Sequence, residues 1–351
     1  MLKQLFYWLF KAKPSGLLPL PKDDRDFKVE SVLGWGEYTP KHTEFEIKTV
    51  SVKDQFPLNT CQWNATIAGK EVDEQCELDV RSFVRKGYEM GLVSRDGFSN
   101  LRSGQKVLYD WGALNDDEYI DNPKAGWNAY INISITGKEN KAKEHKTKTY
   151  WAVNNINDAL RVLDEGRPVA FGMDWYSGYN AGGGFKSPWL ISKEVGYWIG
   201  GHAVLAIGYQ INYRGSKVIK VQNSYSKEWG DKGCFYITFD MFAKQLTKYG
   251  AYTNLDLDKD IGELINTYSM KNVKAPHPDN AVYYVYAGKR YVYPDWDTYL
   301  AFNASEQKPD WGVLVIKKEE LDKIPDGGKM DIKNSKHWEY IKHLKQPIQY
   351  N

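Results

Sequence analysis

Three residues in this chain have the types and the order of a cysteine nucleophile system. Cys61 follows Gln55 by six residues, His202 lies in Gly200-Gly201-His202-Ala203-Val204, and Asn223 opens Asn-Ser-Tyr-Ser-Lys-Glu-Trp-Gly. A thiolate attacks a carbonyl, and a helix N-terminus with a neighbouring imidazolium lowers the thiol pKa enough to populate that thiolate. The imidazole of His202 takes the proton and returns it to a departing amine. The carboxamide oxygen of Asn223 orients one ring nitrogen without adding charge. Gln55, with the backbone N–H of Cys61, offers donors for a developing oxyanion. Taken singly, each residue has a plain structural reading: a small buried hydrophobe, a strand histidine, a turn, a surface amide. Their order and separation favour chemistry.

The bulk numbers set the frame. A chain of 351 residues, 42% hydrophobic and 15% aromatic, has room for two or three domains and a real core. With 47 basic against 45 acidic residues the net charge is +2, so no global field favours nucleic acid or an anionic membrane. Cys61, Cys76 and Cys234 are too few for a disulfide framework or a cysteine-based zinc site. They point to a reducing compartment, and neither a metal nor an organic cofactor is implied. At the N-terminus the apolar run Leu5 to Phe10 is shorter than a secretory core and has no small-residue cleavage site, so no signal peptide is expected. Nor does any stretch approach the ~20 apolar residues of a membrane span.

Elements that would position the candidates can be read from periodicity. Asn59-Thr60 is placed to cap a helix that starts at Cys61, and further helices are expected over Val80–Met90 and Leu101–Trp111, ended by Gly91 and Gly112. The clearest helix is Ile156 to Gly166, with Ile156, Ala159, Leu160 and Leu163 on one face. Short strands follow at Pro168–Asp174, Ala203–Tyr209, Val218–Val221 and Phe235–Thr238. Helices first and strands later predict an α+β fold with two lobes. Beyond a break near Thr267–Asp279, Val282–Tyr286 and Tyr291–Tyr293 form an expected hairpin, with Val313–Ile316 after it.

These motifs together resemble the papain family of cysteine peptidases. Val52-Lys53-Asp54-Gln55 followed by Cys61 is similar to the family's nucleophile segment; Gly201-His202-Ala203-Val204 with Ile207-Gly208-Tyr209 to its histidine strand; and Asn223-Ser224-Tyr225 with Trp229-Gly230 and Gly233 to its asparagine loop. His202 lies 141 residues after Cys61, inside the separation of roughly 130–150 expected of such enzymes. The resemblance spans about residues 45–255. It departs where the usual Cys-Gly-Ser-Cys-Trp reads Leu58-Asn59-Thr60-Cys61-Gln62-Trp63, and where Tyr225 replaces the tryptophan that shields the His–Asn bond. The missing disulfide cysteines are similar to bacterial or bacteriophage-encoded members.

The resemblance implies a two-lobed α+β fold, a helical left lobe and a β-barrel-like right lobe, followed by a small β-rich C-terminal module. Boundaries are expected at 1–44 for an N-terminal extension, 45–266 for the catalytic domain, 267–279 for a linker and 280–351 for the module. It implies thiol-dependent hydrolysis of peptide bonds, with Cys61, His202 and Asn223 catalytic, Gln55 the oxyanion donor and Tyr225 the shielding aromatic. Gly97, Phe98, Gly201 and Trp229 are the expected substrate-binding positions, and the Gly182–Gly184 run with Trp189, Tyr197 and Trp198 is an expected mobile loop at the cleft. Partners are a protein or peptide substrate and a virion or other protein reached through residues 1–13 or the module, without nucleic acid. The location is expected to be the bacterial host's cytoplasm or a virion. Left open are a virion-associated protein that keeps the fold without the activity, and acyl transfer or deamidation by the same residues. Only 60 residues precede Cys61, short of the family's long inhibitory pro-region. Leu2–Leu20 and the C-terminal module are the segments available to cover the cleft.

Overall fold

A computed structural model describes residues 16–20, 23, 26–119, 121–180, 185–255, 257–303, 312–331, 338 and 341. The apolar run Leu5–Phe10 and the Gly182–Gly184 run lie outside these residues. The chain forms two compact units, residues 1–26 with 39–256, and residues 27–38 with 257–351. The division differs from the expected boundaries. Residues 27–38 of the expected N-terminal extension belong to the second unit, and the expected linker contains a strand, Asn272–Lys274, that is hydrogen-bonded into a sheet.

In the first unit, strand β1 (Glu44–Glu46) precedes helices α1 (Cys61–Glu74), α2 (Val80–Glu89) and α3 (Leu101–Asp110). Helices α2 and α3 start on side-chain caps: Asp79 accepts from the N–H groups of Arg81 and Ser82, and Asn100 from that of Ser103. The expected Asn59-Thr60 cap on α1 is not made by a side chain. Instead Asn64 Nδ2 reaches back to the Thr60 carbonyl at 2.8 Å and to its Oγ1 at 3.1 Å, so the hydroxyl is engaged one turn into the helix. Helix α1 is buried from Cys61 to Val72 on all sides, with no apolar stripe opposite a polar one. Trp63 and Ile67 pack into the helical lobe, where Trp63 meets the edge of Phe83 with ring centroids 5.4 Å apart. Other faces of α1 lie on the sheet.

That sheet contains β2 (Thr149–Ala152), β3 (Val169–Tyr176), β4 (Leu190–Ile191), β5 (Trp198–Tyr213), β6 (Ser216–Gln222), β7 (Cys234–Thr238) and β8 (Ala251–Leu255). Helix α4 (Ile156–Asp164), capped by Asn155, and helix α5 (Phe239–Tyr249), capped by Thr238, connect and cover it. Strand order is β2-β8-β3-β5-β6-β7-β4, with β1 also on β5. Neighbours are antiparallel except β4 with β7. Among the described residues this barrel-like sheet is not closed. Closure needs end strands long enough to meet in register, and β4 has two residues, both paired to β7. In β3 against β5, Gly172 faces Ala203, Met173 faces His202 and Asp174 faces Gly201.

In the second unit, helix α6 (Lys259–Tyr268), strand β9 (Asn272–Lys274), hairpin β10 (Tyr283–Tyr286) and β11 (Lys289–Val292), helix α7 (Trp296–Asn303), strand β12 (Val313–Val315), helix α8 (Lys318–Lys323) and strand β13 (Asp326–Lys329) follow in order. The sheet order is β12-β9-β10-β11-β13. The hairpin turns on Ala287-Gly288, both at positive φ (47° and 74°), the conformation a two-residue turn between twisted strands requires. Tyr284, Tyr286, Tyr299, Phe302 and Trp338 fill one core of this unit. Among the described residues no helix is long and apolar enough to cross a membrane.

The Asp79 cap is fully buried, with Oδ2 unpartnered among the described residues, and burial pushes its carboxyl up to about 7. The folded state therefore favours the protonated acid. Its contribution to stability is complete below the unfolded carboxylate range and is lost as pH rises toward 7. Asp79→Asn keeps an acceptor for the helix without a charge to bury. The variant should melt above the wild type at pH 8, with the gap narrowing toward pH 5. A gap that does not change with pH would contradict the assignment.

Candidate active site

Helix α1 ends its approach to the sheet at its own N-terminus, so its first residue, Cys61, sits against β5. The thiol is 0% exposed and meets the backbone N–H of Ala203, the residue after His202. His202 Nε2 lies 2.7 Å from Asn223 Oδ1, which also accepts from the Ser224 N–H at 2.8 Å. A carboxamide oxygen only accepts, so Nε2 carries the proton and Nδ1 is the basic nitrogen of the neutral ring. The Tyr225 ring stacks on the imidazole with centroids 5.0 Å apart and 29° between planes, and Trp175 meets it edge-on at 4.6 Å. Trp229 stands behind these rings, 5.7 Å from Tyr225 and 6.0 Å from Trp175. It is buried in this stack.

Gln55 is knitted to the same loop. Its backbone N–H donates to the Ser224 carbonyl at 3.0 Å, its Oε1 accepts from Ser224 Oγ at 2.6 Å, and its Nε2 donates to the Leu58 carbonyl at 2.9 Å. One amide hydrogen of Gln55 is left for another acceptor. Beneath it Lys53 and Glu71 form a buried ion pair at 2.6 Å, and Glu71 also accepts from the Leu78 N–H at 2.8 Å. This pair ties the segment before Gln55 to the far end of α1. The structure thus brings Gln55, Cys61, His202, Asn223 and Tyr225 together at the seam between α1 and β5.

The cleft over the thiol is occupied by the chain itself. Residues 16–20 run across it as an extended strap. The Leu17 N–H donates to the Gly201 carbonyl at 3.3 Å; on the opposite wall the Ser99 N–H donates to the Gly16 carbonyl at 3.0 Å and the Leu18 N–H to the Ser99 carbonyl at 2.9 Å. Gly16 packs on the Asn59 carbonyl, and its own N–H turns to the Cys61 thiol. Leu17 is buried between β3, β5 and Tyr249. A Cβ on Gly172 would stand 2.2 Å from Tyr249 Cβ and 2.4 Å from Leu17 Cδ2, and one on Gly201 would stand 2.6 Å from both the Leu17 carbonyl oxygen and Tyr249 Cε1, so glycine at both places admits Tyr249 and the strap together. After the strap, both carboxylate oxygens of Asp26 accept from Arg102, Oδ1 from Nε at 3.0 Å and Oδ2 from Nη2 at 2.5 Å, and Oδ2 also accepts from Tyr252 Oη at 2.7 Å. Burial pushes the thiol up to about 11, against the pull of the Ala203, Gly16, Gln62 and Cys61 N–H groups. Burial by the strap therefore opposes the activated thiolate expected from the sequence.

Of the expected substrate positions, Gly201 holds the strap. Gly97 and Phe98 belong to the turn that presents Ser99 and do not themselves bond to Leu17 or Leu18. Tyr197 and Trp198 stand exposed beside the cleft, and Trp198 Nε1 donates to Asp174 Oδ1 at 2.7 Å. Gly172 and Tyr249 were not readable as site residues, whereas Leu17 lies in the Leu2–Leu20 stretch expected to be available to cover the cleft and Ser99 directly follows the expected Gly97 and Phe98. The one signal was a glycine, Gly172, inside an apolar strand.

No family model matches the chain, and no curated protein matches it. Among solved structures, the fold is similar to xylellain, a cysteine protease from Xylella fastidiosa, at 19% identity and a TM-score of 0.57 over 70% of this chain and 98% of that one. It is also similar to digestive procathepsin L 3 of the Tenebrio molitor larval midgut, at 14% identity and a TM-score of 0.51 over 72% of this chain and 78% of that one.

With the Cys61 thiol at about 11, the thiolate fraction at pH 8 is on the order of one in a thousand. Iodoacetamide should label Cys61 slowly at pH 8 and faster as pH rises. Leu17→Asp, which places a carboxylate in the buried Leu17 site, should raise labelling at pH 8 by about tenfold or more. Equal rates for the two proteins, followed by mass spectrometry, would mean that the strap does not cover the thiol.

Proposed function

We propose that this chain is a thiol-dependent peptidase of papain-like fold, held latent by its own residues 16–20. The observation that carries this reading is the 2.7 Å contact of His202 Nε2 with Asn223 Oδ1 beneath the stacked Tyr225, on the strand whose next N–H meets the Cys61 thiol. A basic Nδ1 on a ring pinned from its other side is what proton removal from Cys61 requires. The general likeness of the fold to cysteine proteases supports the same class.

In this reading the strap leaves first. Water and substrate then replace Gly16 over Cys61, and the desolvation that holds the thiol neutral is relieved. The Gly201 carbonyl and the two backbone groups of Ser99, now bonded to the strap, take an extended peptide instead. Cys61 attacks the scissile carbonyl as its proton passes to His202. The oxyanion meets the Cys61 N–H and the remaining amide hydrogen of Gln55. His202 returns the proton to the leaving amine, and water, deprotonated by the same ring, releases the acyl group. Asn223 holds the imidazole throughout, and Tyr225 keeps bulk water from the bond between them.

The test is turnover of an unstructured protein such as casein. The full chain should be slow, and Leu17→Asp should raise its rate by about tenfold or more. Cys61→Ala or His202→Ala in that background should remove turnover, and Gln55→Ala should lower kcat by about a hundredfold, the effect of losing one oxyanion donor. Turnover that survives Cys61→Ala would overturn the reading.

A further inference from the structure

Behind the candidate triad, three buried carboxamides that line one small space each have an end without a partner among the described residues. A cavity of about 10 Å³ is lined by Asn64, Gln222, Asn223 and Lys53, with Ala68 and Val204 as apolar walls. Asn64 Oδ1, Gln222 Oε1 and Asn223 Nδ2 have no partner among the described residues, although each residue is at most 3% exposed. None of these amides can be turned round to remove the mismatch. Asn64 is fixed by donating Nδ2 to Thr60, Gln222 by donating Nε2 to the Ser51 carbonyl at 2.9 Å, and Asn223 by its two donors, His202 and the Ser224 N–H.

The three lining side chains therefore offer, between them, one donor and two acceptors. Water, which accepts from one and donates to two, is the complement of that set and is the size the cavity admits. A cation would face the Asn223 amide hydrogens, and an anion would face two carbonyl oxygens. We propose that this cavity holds one ordered water, which accepts from Asn223 Nδ2 and donates to Asn64 Oδ1 and Gln222 Oε1. Asn64 is then a positioning residue for the reaction proposed above, on which this inference rests. Its Nδ2 holds Thr60, immediately before Cys61, and its Oδ1, through the water, holds the amide that orients His202. A single side chain thus couples the first turn of the nucleophile's helix to the asparagine loop.

The coupling can be isolated because two substitutions share one loss and differ in the other. Asn64→Ala and Asn64→Leu both lose the side-chain bonds to Thr60 and keep the backbone one. Alanine leaves room for a second water to replace the missing acceptor, whereas leucine fills the space. In the full-length Leu17→Asp chain, kcat of Asn64→Leu should fall about tenfold or more below that of Asn64→Ala, with KM within about twofold and a narrower bell-shaped pH profile. Equal kcat values in two proteins that melt alike would overturn the positioning role. If the Leu17→Asp chain cleaves no peptide, the peptidase reading fails separately, and Cys61 alkylation rates at pH 7 carry the same comparison. The water is tested in the wild type whatever the variants do. A crystal structure that resolves ordered solvent should place one water within hydrogen-bond reach of all three atoms. A closed cavity, or one without that water, would overturn the proposal.

Discussion

The placement of one helix governs the rest of the first unit. Helix α1 is buried along most of its length, between the helical lobe and strand β5, and everything with chemical character in the cleft is referred to it. Its N-terminus fixes Cys61, and its Glu71 pairs with Lys53 and so sets the segment that carries Gln55. Removing one member of such a pair leaves a buried charge that costs about 3–5 kcal/mol. The ion pair therefore constrains the geometry of the seam more than it adds to net stability. Because α1 meets β5 at Cys61, the thiol necessarily lies beside the strand that bears His202.

The same seam underlies the proposed latency. An extended segment laid across the cleft satisfies backbone groups of Gly201 and Ser99 and buries Leu17 against Gly172 and Tyr249. These are groups that a peptide substrate would need. Covering the thiol removes water from it, and an uncompensated thiolate in that position is unfavourable. Occlusion of the site and suppression of the nucleophile are thus one physical event. The Asp26–Arg102 contact and the Tyr252 hydroxyl fix the chain beyond the strap, and strap and anchor lie within the first unit.

Legibility from sequence followed the range of the forces involved. Helices α2 and α4 were readable because their caps and apolar faces are local, and the sequence placed Cys61 at a helix start. Gln55, Cys61, His202 and Asn223 stood out because nucleophile, base and amide are distinctive residue types in a distinctive order. Leu2–Leu20 was expected as one of two segments available to cover the cleft, but which of its residues form the strap was not readable. Gly16-Leu17-Leu18 carries no local signal, and its place depends on two walls, Ser99 and Gly201, about a hundred residues apart in the chain. Strand β8, helix α5 and the role of Asn64 were missed for a related reason, since a buried carboxamide acquires meaning only from what lies opposite it. The C-terminal boundary was misplaced because Asn272–Lys274 has no apolar alternation; β10 and β12 pull it into a sheet by backbone pairing on both sides.

The central claim is that Cys61 is the acyl-accepting atom of a site assembled at the α1–β5 seam and uncovered when the strap leaves. Trapping the acyl-enzyme tests it most directly. A Leu17→Asp chain mixed briefly with an activated ester of an acylated amino acid, quenched in acid and digested, should carry the acyl mass on the peptide that contains Cys61. The same chain bearing His202→Ala should carry far less. An adduct on Cys76 or Cys234 instead, or equal acylation of Cys61 with and without His202, would contradict the account.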